Sequence, residues 1–158
     1  MRIIVLTIVI LSGCTHSNVA NGCNEKEGLV ALYSNNEPLA FNLLKGCEAD
    51  LSASGEALHN LHSLIYSGAY GAYESFGGRI DHSQELACKA ALKGYAVSVF
   101  LFSSYYEDGE DYLGIYPNMK VSNCLHGLLK DEQKYANPSD VSDCFAHNTE
   151  LVSINQCY

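Results

Sequence analysis

Apolar residues recur along this chain in short bursts at three- and four-residue spacing, divided by Gly, Pro and Asn, and that pattern predicts a series of short helices. Leu29, Val30, Leu32 and Tyr33 form one brief segment. The stretch 34–38 breaks it, with Pro38 in the first turn of the next helix, where its missing N–H is no loss. Leu39, Leu43, Leu44 and Cys47 then carry helical spacing. Leu58, Leu61, Leu64 and Ile65 mark a third helix, which Gly68 can stop. Asp81 with Gln84 resembles a capping box opening a fourth, burying Leu86, Ala90 and Ala91 and closing at Lys93-Gly94.

The run Val97-Ser98-Val99-Phe100-Leu101-Phe102 is rich in β-branched and aromatic residues and reads locally as a buried strand; its helical surroundings favour a helix. Downstream, Pro117 sits at a first-turn position ahead of Val121, Cys124, Leu125 and Leu128 on one face. Asn137-Pro138 ends the regular region. The tail from Ser139 to Tyr158, with Cys144 and Cys157 around Leu151, Val152 and Ile154, reads as a cap over an otherwise exposed apolar end.

The beginning of the chain follows a different rule. Arg2 precedes an apolar run from Ile3 to Leu11, and Leu11-Ser12-Gly13-Cys14 follows. The run is too short to span a bilayer, which takes roughly 18 apolar residues. The motif resembles a bacterial lipobox. That resemblance implies cleavage before Cys14, lipidation of the new N-terminal cysteine, and, with Thr15 rather than aspartate next, an outer-membrane anchor facing the periplasm. Residues 15–24 are small and polar and suit a tether. The expected organisation is a signal peptide at 1–13, a lipidated tether at 14–24, a helical domain at 25–138 and the cap at 139–158.

Charge narrows the partners. The chain holds 9 basic and 18 acidic side chains, a net of −9, and loss of Arg2 with the signal peptide makes the remainder −10. Such an excess argues against nucleic acid, whose phosphates demand a basic face, and against direct contact with anionic lipid, so membrane association would rest on the acyl chains. A basic protein partner is favoured. Besides Cys14, six cysteines remain, Cys23, Cys47, Cys88, Cys124, Cys144 and Cys157; an even count in an exported chain suggests disulfides whose pairing spacing alone leaves open. No Cys-x-x-Cys occurs, so a zinc knuckle is not expected.

No catalytic constellation emerges: there is no Gly-x-Ser-x-Gly elbow, phosphate loop or His-Glu-x-x-His pair, and no cofactor is implied. His59 and His62 share one helix face at i and i+3, without a third metal ligand at fixed spacing. Glu107, Asp108, Glu110 and Asp111 crowd round Gly109 but lack EF-hand spacing. Flanked by Tyr105, Tyr106, Tyr112 and Tyr116, they read instead as a partner-binding loop, or as a solvated acidic turn. Tyr70, Tyr73 and Phe76, set among glycines in the loop 69–79, form a second candidate contact surface; the alternative is that they fold back on the core.

Internal echoes join these segments. The stretches 29–33, 62–66 and 102–106 each end a first helix on tyrosine, and 42–46 matches 90–94, with Cys88 and Cys124 in equivalent places. On Ala57, Leu61, Tyr66, Gly68, Asp81, Glu85, Ala90, Ala91, Gly94, Phe102, Tyr106 and Gly109 the chain resembles the Sel-one-like repeat family, relatives of tetratricopeptide repeats. The resemblance implies an all-α protein, a short α-solenoid of about three antiparallel helix pairs with a disulfide-linked C-terminal cap. It also implies a non-enzymatic protein-binding role, similar to periplasmic immunity proteins that neutralise secreted antibacterial effectors such as type VI phospholipases. An envelope assembly or signalling scaffold is the alternative. If the repeat register holds, the loops 69–79 and 107–116 leave the same edge of the stack.

Overall fold

A computed structural model describes residues 22–68, 80–110, 115–129 and 133–146, and they are all-α. The helices are α1 (Glu25–Tyr33), α2 (Glu37–Leu44) with a 3-10 turn (Lys45–Ala49), α3 (Gly55–Tyr66), α4 (Ile80–Leu92), α5 (Ala96–Asp108), α6 (Met119–Gly127) and α7 (Pro138–Ala146). Extended pairing among the described residues is confined to two single bridges, Tyr95 with Tyr135 and Glu110 with Ile115.

The starts of α2, α3 and α6 follow short polar side chains that accept from free N–H groups, while α1 and α5 begin without one. Asn36 accepts from Leu39 N–H ahead of α2, where Pro38 occupies the first turn. Ser54 accepts from Ala57 N–H, and Asn118 accepts from Lys120 and Val121 N–H. Pro117 therefore precedes the cap of α6 rather than lying in its first turn. The other expected cap also differs. The Gln84 amide donates to the Tyr105 hydroxyl at 3.3 Å, so its side chain is spent on a tertiary contact and not on the entry of α4. Pro138, expected to end regular structure, opens α7, with Asn137 Oδ1 accepting from Ser139 N–H. Proline both stops a preceding helix and fits a first turn, and here the second role applies.

Successive helices pair antiparallel. Asn24 N–H before α1 donates to Leu43 O near the end of α2. His62, late in α3, meets Ser83, early in α4, at 2.8 Å. At the other end of that pair, a Cβ on Gly55 would lie 2.8 Å from Tyr95 Cβ and 3.0 Å from Ala90 O, so only glycine lets α3 begin this close to the exit of α4. Asn118 N–H donates to Tyr106 O at 2.6 Å, and Ser103 Oγ donates to Ser122 O inside the α5–α6 contact.

Two apolar clusters share α4 as their wall. Leu86 and Ala90 join Ala40, Leu44, Leu58, Leu61 and Ile65, while Ala87, Cys88 and Ala91 join Val99, Phe102, Val121, Leu125, Val141 and Phe145. Each fully buried leucine contributes about 1.5–3 kcal/mol by area removed from water. α7 thus belongs to the second core through Val141, Cys144 and Phe145. The residues 147–158, including Leu151, Val152 and Ile154, lie outside the described residues.

Disulfides staple both halves. Cys23–Cys47 ties the entry of α1 to the 3-10 turn, and Cys124–Cys144 ties α6 to α7. Cys88 is disulfide-bonded as well, its partner outside the described residues. Between α6 and α7, the segment 133–137 runs as a strap over the α4–α5 turn: Ala96 N–H donates to Lys134 O, and Ala136 N–H to Gly94 O. Gly94 has φ of +79°, and a Cβ there would sit 2.1 Å from Ala136 O, so the turn under the strap requires glycine.

Candidate interaction face

α3 and α5 lie side by side in parallel, because each is antiparallel to the α4 they share. Near their starts, His59 Nδ1 meets Ser98 Oγ at 2.8 Å. Near the end of α5, the Tyr105 hydroxyl reaches Gln84 of α4. Burial pushes the Tyr105 phenol up against its Gln84 bond, with the nearby Glu110 and Tyr66 adding to the rise, which places the ends of α3 and α5 at one edge.

The floor between the helices is polar but uncharged. His62 Nδ1 donates to Ser83 O, and the His59 and His62 rings lie 5.8 Å apart, with Tyr95 5.2 Å beyond His59. Burial, then the neighbouring His62, depress His59 to about 4, and burial depresses His62 against the Ser83 bond. Both rings are therefore neutral near pH 7. Among the described residues no group of three or more His, Cys, Asp or Glu side chains is arranged to hold a metal ion.

Above this floor α5 presents apolar side chains to water: Val97 is 50% exposed and Phe100 54%. They lie at i and i+3, and Ser104 and Glu107 continue the same stripe toward the C-terminus. From α3, Tyr66 is 61% exposed, near Tyr105 toward the end of α5. A helix apolar on every side is ordinarily buried all round. α5 is not.

At the opposite end, Glu56 at the start of α3 is buried and pairs with two residues distant in the chain. Tyr33 Oη donates to its Oε1 and Lys134 Nζ to its Oε2, both at 2.5 Å. Burial pushes the carboxyl up, but the Lys134 and Tyr33 bonds outweigh it and hold the group below its ordinary value. Tyr33, raised chiefly by its bond to Glu56, lends the remainder of its ring to the surface. Tyr135 of the strap meets Tyr95 edge-on with centroids 5.6 Å apart. This cluster joins α1, α3 and the strap, and its side chains are spent on one another; it is a clamp.

The residues expected to bind a partner distribute unevenly. Glu107 and Asp108 are exposed at the end of α5. Tyr105 is half-buried, and Glu110 is partly buried in its bridge with Ile115. Tyr106 is a core residue: at 2% exposure it packs on Phe145, so it offers a partner no surface. Its two sequence echoes, Tyr33 and Tyr66, are exposed, because α6 and α7 cover the end of α5 as nothing among the described residues covers α1 or α3 there. Tyr70, Tyr73, Phe76, Asp111 and Tyr112, like Cys14 and Cys157, lie outside the described residues. Sequence reasoning missed Val97 and Phe100. Their signal was present, in a run whose apolar residues outnumber what one buried face of a helix can take.

No described helix is long and apolar enough to cross a membrane. Set against family models, curated proteins and solved structures, the chain matches none.

Proposed function

We propose that the protein is a non-enzymatic, lipid-anchored module that binds another protein in the bacterial periplasm. The observation that carries this is the exposed apolar pair Val97 and Phe100 on α5, on a scaffold stapled by disulfides. Contiguous apolar surface at the centre of a polar region is what protein partners bury. Disulfides persist in an oxidising compartment, which agrees with export and with Cys14 as the lipid attachment site. The net charge of −9 favours a basic partner and speeds its capture.

The resemblance to Sel-one-like immunity proteins takes the reading one step further. The partner would be a secreted antibacterial effector, such as a type VI phospholipase, that the anchored module occludes in the envelope where it acts. The test is capture from detergent-solubilised envelopes of cells under attack, with an unrelated lipoprotein of equal charge as the control bait. A basic envelope or effector protein retained by this bait alone is the expected result. Equal retention by both baits would remove the binding-module reading.

A further inference from the structure

The α5 stripe has a direction. It begins apolar at Val97 and Phe100, passes the small polar Ser104, and ends on Glu107 with Asp108 adjacent, both exposed. Neither α3 nor α5 contains a lysine or arginine, so no cation of either helix neutralises that end. The two helices also bring their C-termini, the negative ends of their dipoles, to the same edge. Apolar contact at one end and negative potential at the other specify a ligand with the complementary polarity.

We propose that the exposed stripe of α5 receives an amphipathic helical segment of a protein partner, its apolar side on Val97 and Phe100 and its Lys- or Arg-bearing end against Glu107 and Asp108. This rests on the binding-module reading and adds the surface and the partner's chemistry. The stripe from residue 97 to residue 107 is about 15 Å long at the rise of an α-helix, which matches roughly three turns of a partner helix. Charge selects among the possible occupants. A second copy of this chain carries the same acidic excess and brings on its own α5 stripe no cation to meet Glu107 and Asp108. An anionic bilayer is repelled by the same carboxylates.

The probe is a fluorescein-labelled amphipathic helical peptide with a leucine face and lysines and arginines at one end, titrated with the full-length protein by fluorescence anisotropy. A peptide with glutamate at the basic positions is its counterpart. Phe100→Asp is expected to weaken binding at least tenfold, and Val97→Asp to do the same through an independently half-exposed site. Glu107→Gln with Asp108→Asn is expected to weaken it several-fold at low salt and little at high salt. Asp140→Asn with Asp143→Asn removes equal charge from α7 and is expected to leave binding unchanged. Equal weakening by the two carboxylate pairs, indifference to both apolar substitutions, or tight binding of the glutamate peptide would each overturn the assignment. Self-association of the free protein, lost in Phe100→Asp, would overturn it in favour of a second copy. Envelope capture that survives Phe100→Asp removes this face while the binding-module reading stands; peptide binding at the face without any envelope capture separates the two in the opposite sense.

Discussion

α3 and α5 hold the same place in successive helix pairs, lie parallel, and share α4 as a support, yet they spend their apolar residues differently. α3 is sharply two-sided: Leu58, Leu61, Leu64 and Ile65 are buried, and Ser63 and Tyr66 face water. α5 buries Val99 and Phe102 and still leaves Val97 and Phe100 half-exposed. The core needs only one face of each helix. What α5 carries beyond that need is unexplained by stability, and under the proposed function it is the surface a partner would bury.

The contrast is sharpest in unfolding experiments. Leu61→Ala is expected to cost about 2–5 kcal/mol in urea titrations, because a fully buried leucine leaves a cavity that its neighbours only partly fill. Phe100→Ser is expected to stay within about 0.5 kcal/mol of the parent, as a surface substitution does. A loss at Phe100 comparable to that at Leu61 would make Phe100 a core residue and dissolve the distinction.

Next in size is the staple behind α5. Replacing Cys124 and Cys144 together by alanine opens a loop of sequence separation 20, an expected loss of about 3 kcal/mol. Hydrogen exchange is expected to rise in α5 and α6 before α3, whose side of the molecule keeps Cys23–Cys47. Uniform acceleration along the chain would show that the two helices belong to one cooperative unit. The remaining bond carries a separate consequence. With the two pairs assigned, only Cys14 and Cys157 are left to pair with Cys88. Lipidation consumes the Cys14 sulfur as a thioether, so the lipoprotein reading predicts Cys88–Cys157 in peptide mapping; a Cys14–Cys88 bond would contradict it.

A smaller effect joins the two helices directly. His59 of α3 bonds Ser98 of α5, and its folded-state pKa of about 4 lies below the ordinary 6.5. The unfolded chain then binds the proton first, so this site favours folding above pH 6.5 and loses that contribution as pH falls toward 4. Partial exposure of the ring limits the loss to the order of 1 kcal/mol. His59→Gln is expected to flatten that part of the pH–stability curve. An unchanged slope would show that His59 titrates normally.

The sequence made α3 legible because Leu58, Leu61, Leu64 and Ile65 repeat at helical spacing with polar residues between them. It left α5 ambiguous for a physical reason: apolar residues on successive positions satisfy a strand and a helix alike, and only the helices around it decide. Pro117 lies two residues ahead of the first residue of α6 and Pro138 opens α7 instead of closing the regular region, since proline is compatible with both a stop and a start. The clamp of Glu56 with Lys134 spans 78 residues, and no local pattern announces it. Tyr106 looked equivalent to Tyr33 and Tyr66 in sequence, and whether it is covered depends on Phe145, far along the chain.

The central claim is that the α5 stripe, and not exposed apolar surface in general, meets the partner. Leu39 on α2 supplies the comparison, being 47% exposed where Phe100 is 54%. A photo-crosslinking amino acid placed at either position in the anchored protein, with irradiation of intact cells, reads out contact directly. The account predicts one dominant protein adduct from position 100 and none from position 39. The same adduct from both positions, or one from position 39 alone, would contradict it.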